Sequence, residues 1–449
     1  MSGIFKAYDV RGLYPEQLNE EMARSIGRVF RFVLDERDRG YGDHVVVSRD
    51  MRPHSEPLSE ALIEGLREGG LDVVDIGLAT TPMNYFAVGH LGAAGGVQVT
   101  ASHNPAEYNG LKFSKSDARP VSGEGGIALM QAKIEAGEAQ PAGRRGGYRR
   151  AGVYDKYGEH VLSFLEGEPS PLSVVVDAAN GMGSIYRPLL ERMGIRLDPL
   201  YFELDGTFPN HEANPLKEEN LEDLIARVRA VGADLGISFD GDADRAAFVS
   251  EKGEAIGSDL MTALIGGEML RTEPGSHVLY DLRSSRAVPE YITECGGRPV
   301  RERVGHSFMK ATLREKKGIF GGELAGHYYF RANHHADCAL LAVVEVLNLL
   351  RRKRQPLSRL VEPLRRYAKS PEINFVVEDK AAKLRELEER YAHGRIDHLD
   401  GVTVELADWW FNVRPSNTEP YLRLVLEAET DEALAEHRAE LEELLGRPV

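Results

Sequence analysis

Apolar strand-like runs alternate with amphipathic helical stripes along this chain, and the alternation breaks off and restarts twice before a differently patterned tail. Leu18, Met22, Ile26, Val29 and Val33 recur at helical spacing ahead of a strand-like run at 44–48. Leu58, Leu62, Ile63 and Leu66 repeat the pattern ahead of runs at 72–76 and 95–99. That is the grammar of strand–helix–strand units. A stretch rich in Gly, Pro and Arg at 137–150 has little periodicity and is expected to be a linker or a polar surface crossing. The alternation returns with runs at 173–178 and 235–239 around a helix-like 221–231, and again with 277–282, a helix at 288–295 and an apolar helix at 339–350. Leu340, Val344 and Leu347 share a face of that last helix, and the basic 351–354 suits its C-terminus. The tail holds a charged helix at 380–391, strands near 402–406 and 422–426, and a helix at 431–445. Four domains follow: 1–145, 146–253 and 254–366 as α/β units, and 367–449 as a smaller α+β unit.

With 449 residues and 42% hydrophobic content there is apolar surface for several cores. Lys plus Arg number 55 against 71 Asp plus Glu, a formal charge of −16. Such an excess repels nucleic acid and anionic membranes, so neither is expected as a partner and an anionic substrate must meet locally placed cations. Two cysteines, Cys295 and Cys338, make no disulfide framework and no zinc spacing, which fits a reducing compartment. Lys6, Asp9 and Arg11 interrupt any apolar leader, and the longest apolar stretch, 338–344, is stopped by Glu345. A cytoplasmic protein is expected.

Four short stretches carry chemistry. Asp240-Gly241-Asp242-Ala243-Asp244-Arg245 follows the apolar run 235–239, where carboxylates at alternate positions of a turn can converge on one hard cation, most naturally Mg²⁺. Asp240, Asp242, Asp244 and Glu251 also fit positions of a calcium-binding EF-hand loop, but Arg245 stands where that loop needs Gly and the flanks are β-rich. A solvated acidic turn is the plain alternative, weakened by placement at a strand end. Thr100-Ala101-Ser102-His103-Asn104-Pro105 also follows a strand and exposes a hydroxyl for phosphoryl or acyl chemistry, although a lone Ser in a turn is most often structural. His103 is expected to point away from Ser102, because neighbouring side chains diverge, and no G-x-S-x-G elbow surrounds the serine. Gly321-Gly322-Glu323-Leu324-Ala325-Gly326-His327 sets a carboxylate in a glycine-rich turn where it could accept two sugar hydroxyls. Arg414-Pro415-Ser416-Asn417-Thr418-Glu419-Pro420 gathers a cation, hydroxyls and an amide, as a phosphate cradle or an ordinary turn.

FKAYDVRG at 5–12, TASHNP at 100–105, DGDADR at 240–245, GELAGH at 322–327 and RPSNTEP at 414–420 occur in order and well separated. Together they resemble the α-D-phosphohexomutase superfamily, from about residue 4 to the C-terminus. Within it the chain is most like the bacterial phosphomannomutase/phosphoglucomutase branch. TASHNP and RPSNTEP point away from phosphoglucosamine mutase, which stays an alternative, as does a Mg²⁺-dependent sugar-phosphate phosphatase.

The resemblance implies four domains around a central cleft, three similar α/β domains with mixed sheets and a smaller α+β domain at the C-terminus. It implies a phosphoserine at Ser102 and interconversion of hexose 1- and 6-phosphate, of mannose or glucose, through a bound 1,6-bisphosphate that also serves as activator. Asp240, Asp242 and Asp244 would hold Mg²⁺ in contact with the Ser102 phosphate, with Arg245 adding a fixed cation. Arg11, Lys112, His103 and His327 are implied as the proton donors and acceptors. Glu323 would grip sugar hydroxyls, and Arg414, Ser416, Asn417 and Thr418 the spectator phosphate. Tyr8, Arg283 and His306 would be further contacts. Ala325 departs from the family's usual Ser at the cost of one hydrogen bond, about 1 kcal/mol. The C-terminal domain is expected to rotate inward when the Arg414 loop meets phosphate. Partners are small sugar phosphates, for a monomer or homodimer.

Overall fold

The computed structural model describes residues 3–121, 125–167, 171–416 and 421–449. Four sheets succeed one another along the chain. The first has the order Asp9–Leu13, Tyr108–Lys115, Gly95–Val99, His44–Arg49, Asp72–Leu78, Tyr148–Arg150. His44–Arg49 runs parallel to both of its neighbours, and its Val45, Val46 and Val47 are all buried, as a strand covered on both faces requires. The covering helices Glu20–Phe30 and Ser55–Glu68 cross with their backbones in contact: a Cβ on Gly65 would lie 2.1 Å from the carbonyl oxygen of Arg24. Only glycine permits that approach.

The second sheet has the order Ala255–Ile256, Ala246–Ser250, Leu235–Phe239, Ser173–Asp177, Arg196–Leu200, and the third Arg298–Glu302, His277–Asp281, Phe320–Gly322, Tyr328–Phe330, Ala336–Asp337. Each mixes parallel strands on one side with antiparallel strands on the other. The fourth is antiparallel throughout and carries the helices Lys380–Arg390 and Asp431–Leu445. Three mixed α/β units and an α+β tail are therefore present.

Of the two readings of 137–150, a linker or a polar surface crossing, the second fits: the stretch ends in the exposed strand Tyr148–Arg150, parallel to Asp72–Leu78 in the first sheet. A three-residue edge strand with every side chain exposed needs no apolar alternation, so it leaves no trace in the pattern.

The largest apolar core is continuous from the helix Thr81–His90 of the first unit, through Tyr157 and Tyr186 of the second, to the helix Ala339–Lys353 of the third. The tail keeps a separate core built on Phe375, Phe411, Leu424 and Leu441. Three units are thus packed as one body and the fourth is attached through the segment after Leu364. In each unit a chemistry-bearing loop leaves a strand at its C-terminal end: Ser102 follows Gly95–Val99, Asp240 follows Leu235–Phe239, Glu323 follows Phe320–Gly322 and Ser416 follows Trp409–Pro415. Strand C-termini are where ligands of such sheets bind.

Candidate active site

Ser102 sits in the left-handed region, with φ 53°, and its N–H donates to Thr100 Oγ1 at 2.9 Å. One buried guanidinium holds the surrounding turn. Arg52 donates to the carbonyl oxygens of Ser102 (3.1 Å), Asn104 (2.6 Å), Pro105 (2.7 Å) and Tyr108 (3.0 Å), with Asp50 3.3 Å away as its counter-ion.

Asp240 folds the acidic loop around itself: its Oδ1 accepts from the N–H groups of Asp244 and Arg245, both at 3.1 Å. That winding turns the carboxylates of Asp240, Asp242 and Asp244 toward one point, with ligand oxygens within 4.8 Å of one another and all three residues buried. Ser102 Oγ donates to Asp240 Oδ2 at 2.8 Å, joining the first and second domains. Gly241 permits the approach, since a Cβ there would lie 2.3 Å from the carbonyl oxygen of Ser102. Lys112, on the strand Tyr108–Lys115, donates to Asp242 Oδ2 at 2.7 Å and Asp244 Oδ2 at 2.5 Å. Arg245 Nε lies 3.8 Å from Asp240 and 3.9 Å from Asp244.

Burial, with the charges of Asp244 and Asp242, drives the Asp240 carboxyl far above its ordinary value, whereas Lys112 and His327 overcome burial and hold Asp244 far below. Asp242 Oδ1 is buried without a hydrogen-bond partner, and Asp244 Oδ1 is buried with His327 Nε2 3.3 Å away. Converging hard oxygens with unsatisfied lone pairs fit a hard divalent cation. The EF-hand alternative fails: Glu251 is engaged by Ser358, and Asp244 leads into the strand Ala246–Ser250 rather than a helix.

His103 does not diverge from Ser102 as expected. Its Nδ1 lies 3.3 Å from Ser102 Oγ, because the left-handed conformation at Ser102 brings adjacent side chains to one side. Burial, reinforced by Arg245, Arg11 and Lys112, holds this imidazole well below its ordinary value and keeps it neutral. Arg11 joins from the strand Asp9–Leu13, donating to Asn104 Oδ1 and Asp9 Oδ2 at 2.6 Å each. Lys112 is held strongly as the ammonium: its three neighbouring aspartates outweigh burial and raise it.

The third domain closes over this group through His327, whose Nε2 lies 3.3 Å from Asp244 Oδ1 and whose Nδ1 lies 3.3 Å from Glu323 Oε2. Burial and Arg245 oppose protonation, but the two carboxylates win and push His327 up to about 9, so the ring is charged at neutral pH. Arg245 Nε is 3.1 Å from the same Nε2; a charged ring turns its N–H to Asp244, leaving Arg245 to the acidic loop or an incoming anion. Glu323 also accepts from the Gly305 N–H at 3.0 Å and from Tyr329 Oη. His306 begins the helix His306–Glu315, is kept neutral by burial and the positive charge of Lys310, and meets the ring of Tyr8 edge-on at 5.4 Å. Tyr8 is raised by its burial.

Arg283 is paired with Asp281 at 2.7 Å and lies 3.4 Å from Glu372. Arg414 is buried and donates to Glu372 at 2.7 Å, and Arg423 does so at 3.1 Å. Burial opposes ionisation of Glu372, but Arg283, Arg414 and Arg423 hold its carboxyl down at about 2. The Ser416 N–H donates to the Tyr421 carbonyl at 2.9 Å. Asn417 and Thr418 lie outside the described residues. Arg52, Thr81, whose hydroxyl donates to Asp242, and Glu372 belong to the site and were not anticipated. Thr80-Thr81-Pro82 carries a helix-start signature that could have drawn attention to Thr81; Arg52 and Glu372 belong to no motif.

A buried serine against three converging carboxylates, with Arg11, Lys112 and Arg245 beside them, is the arrangement of a phosphotransferase. Residues 2–139, 155–253 and 257–367 match the alpha/beta/alpha domains I, II and III of phosphoglucomutase/phosphomannomutase, and 372–444 match its C-terminal domain. The phosphomannomutase of Salmonella typhimurium is 38% identical over 449 aligned residues, covering 97% of this chain and 96% of that protein. A phosphoglucomutase/phosphomannomutase family protein from Burkholderia thailandensis, solved by crystallography, superposes with a TM-score of 0.91 at 34% identity, covering 99% and 97% of the two chains. An N-acetylglucosamine-phosphate mutase shares the fold alone, with 13% identity and a TM-score of 0.63 over 99% of this chain and 96% of its own. The chain belongs to the phosphoglucomutase/phosphomannomutase family and is a hexose-phosphate mutase. No helix among the described residues is long and apolar enough to cross a membrane.

Proposed function

We propose that Ser102 is the phosphoryl carrier of this mutase and that it interconverts the 1- and 6-phosphates of mannose, glucose or both. The observation that carries this reading is the 2.8 Å hydrogen bond from Ser102 Oγ to Asp240, which sets the serine hydroxyl against the acidic cluster. Phosphoryl transfer asks chiefly for positioning and charge neutralisation. Asp240, Asp242 and Asp244 would hold Mg²⁺, which supplies positive charge to the transferring phosphoryl oxygens when bound.

In the forward half-reaction the phosphoryl group leaves phospho-Ser102 for the free hydroxyl of a hexose monophosphate, forming a 1,6-bisphosphate. The hydroxyl gives up its proton to a His327 ring left neutral by the preceding return half-reaction, and the Ser102 alkoxide takes back the proton that His103 received in that half-reaction. After the bisphosphate turns around, Ser102 Oγ loses its proton, attacks the other phosphorus and releases the isomeric monophosphate. His103, neutral and 3.3 Å from Ser102 Oγ, is the group placed to exchange the serine proton. Lys112, Arg11 and Arg245 would neutralise the phosphoryl oxygens as charge develops on them. Charged His327 is the proton donor on the sugar side, with Glu323 orienting it.

Arg414, Ser416, Asn417 and Thr418, with Arg283, His306 and Tyr8, would hold the spectator phosphate and sugar hydroxyls. The separate core of the C-terminal domain supports its inward rotation once the Arg414 loop meets phosphate, which excludes water from the bisphosphate. The test is phosphoryl occupancy by intact mass after incubation with glucose 1,6-bisphosphate and Mg²⁺. The wild type should gain one phosphoryl group on the peptide containing Ser102, and Ser102→Ala should gain none and turn nothing over. Turnover by Ser102→Ala would overturn the assignment.

A further inference from the structure

Domain I reaches across to a ligand carboxylate of domain II. Thr81 is the first residue of the helix Thr81–His90; its N–H donates to the Asp242 carbonyl at 3.2 Å and its Oγ1 to Asp242 Oδ2 at 2.5 Å. With Lys112 also on Oδ2, both donors engage one oxygen of this carboxylate, and Oδ1 is left buried and unpartnered. A carboxylate fixed in this way presents one lone-pair set to a cation and cannot rotate away from it.

The helix end is itself registered from behind. Thr80 caps the helix through Met83 N–H, and its Oγ1 lies 2.8 Å from Tyr186 Oη. Tyr186 Oη is 3.3 Å from Tyr157 Oη, which is 3.3 Å from Cys338 Sγ, so one buried polar chain links domains I, II and III. The Tyr186 ring also packs edge-on against Phe239, the residue before Asp240, at 5.6 Å.

We propose that Thr81 is a positioning residue for the metal-binding cluster, setting which oxygen of Asp242 faces the cation, and that the Thr80–Tyr186–Tyr157–Cys338 chain holds it in register. The proposal rests on the reading of Asp240, Asp242 and Asp244 as metal ligands. Partners that orient ligating carboxylates change metal affinity by about 10–100-fold when removed.

The test is calorimetric titration of MgCl₂ into the metal-free full-length protein, beside the Mg²⁺ dependence of turnover. Thr81→Val, which keeps shape and loses the donor, should raise the Mg²⁺ dissociation constant about 10–100-fold. Thr81→Ser should restore the affinity to within about threefold. Should the valine variant not fold, Thr81→Ala carries the same expectation. A purely structural threonine would lower the thermal midpoint of the metal-free protein without changing the Mg²⁺ affinity of the folded fraction. A dissociation constant for Thr81→Val within twofold of wild type, with Asp242→Asn impaired, would overturn this inference alone. Equal Mg²⁺ affinity of wild type and Asp242→Asn would overturn the metal reading and this inference with it.

Discussion

Replacing Arg52 by lysine is predicted to slow turnover although Arg52 touches no reacting atom. The guanidinium divides its Nη1 and Nη2 donors among four carbonyl oxygens of the turn that carries Ser102. An ammonium keeps the charge facing Asp50 but offers three N–H bonds from a single nitrogen, so at least one buried carbonyl loses its partner. Each such loss costs about 1–3 kcal/mol. The cost falls on the turn that fixes the left-handed conformation of Ser102, and a displacement near 1 Å at a reacting group lowers rate by about 10²-fold. Amide hydrogen exchange across 101–108 should therefore quicken by about tenfold or more, matching about 1.4 kcal/mol of lost protection, and kcat should fall by about 10²-fold. Unchanged exchange in 101–108 together with kcat within twofold of wild type would refute the reasoning.

Gly241→Ala puts a methyl 2.3 Å from the Ser102 carbonyl, against the 3.4–4 Å of ordinary contact. The two loops must part by roughly 1 Å, so turnover should fall about 10²-fold with about 1–3 kcal/mol lost in stability, read by initial rates and thermal unfolding. Glu372→Gln should lower the thermal midpoint at neutral pH. Because the Glu372 carboxyl is held at about 2, below its unfolded value, its contribution is present above about pH 4.5 and lost as pH falls toward 2; the difference between wild type and Glu372→Gln should shrink over that window. A difference independent of pH would contradict the arginine hub. Chelation of divalent cations should abolish turnover, and added Mg²⁺ should restore it. Full activity in excess chelator would remove the metal from the account.

The strands and helices that frame the site were legible because amphipathic stripes and β-branched runs report burial directly, as in Leu235–Phe239 and Asp431–Leu445. The acidic loop was legible too, since convergence of Asp240, Asp242 and Asp244 follows from their alternate spacing at a strand end. Contacts made by single polar residues far apart in sequence were not. Arg52 and Ser102 are 50 positions apart, and Thr81 and Asp242 are 161 apart, so neither pairing leaves a local pattern. The proximity of His103 to Ser102 depends on one backbone angle that the residue type does not announce. Glu372 follows Pro371 between two short strands of the fourth sheet, and only the tertiary approach of three arginines gives it a role.

The central claim is that Ser102 returns every phosphoryl group to the sugar. A ³¹P NMR time course of the purified protein with Mg²⁺, glucose 1-phosphate and a trace of glucose 1,6-bisphosphate tests it most directly, with mannose 1-phosphate in a parallel tube. The expected result is conversion of the 1-phosphate signal into the 6-phosphate signal, no growth of inorganic phosphate, and no conversion with Ser102→Ala. Accumulation of inorganic phosphate in step with loss of the 1-phosphate would contradict it.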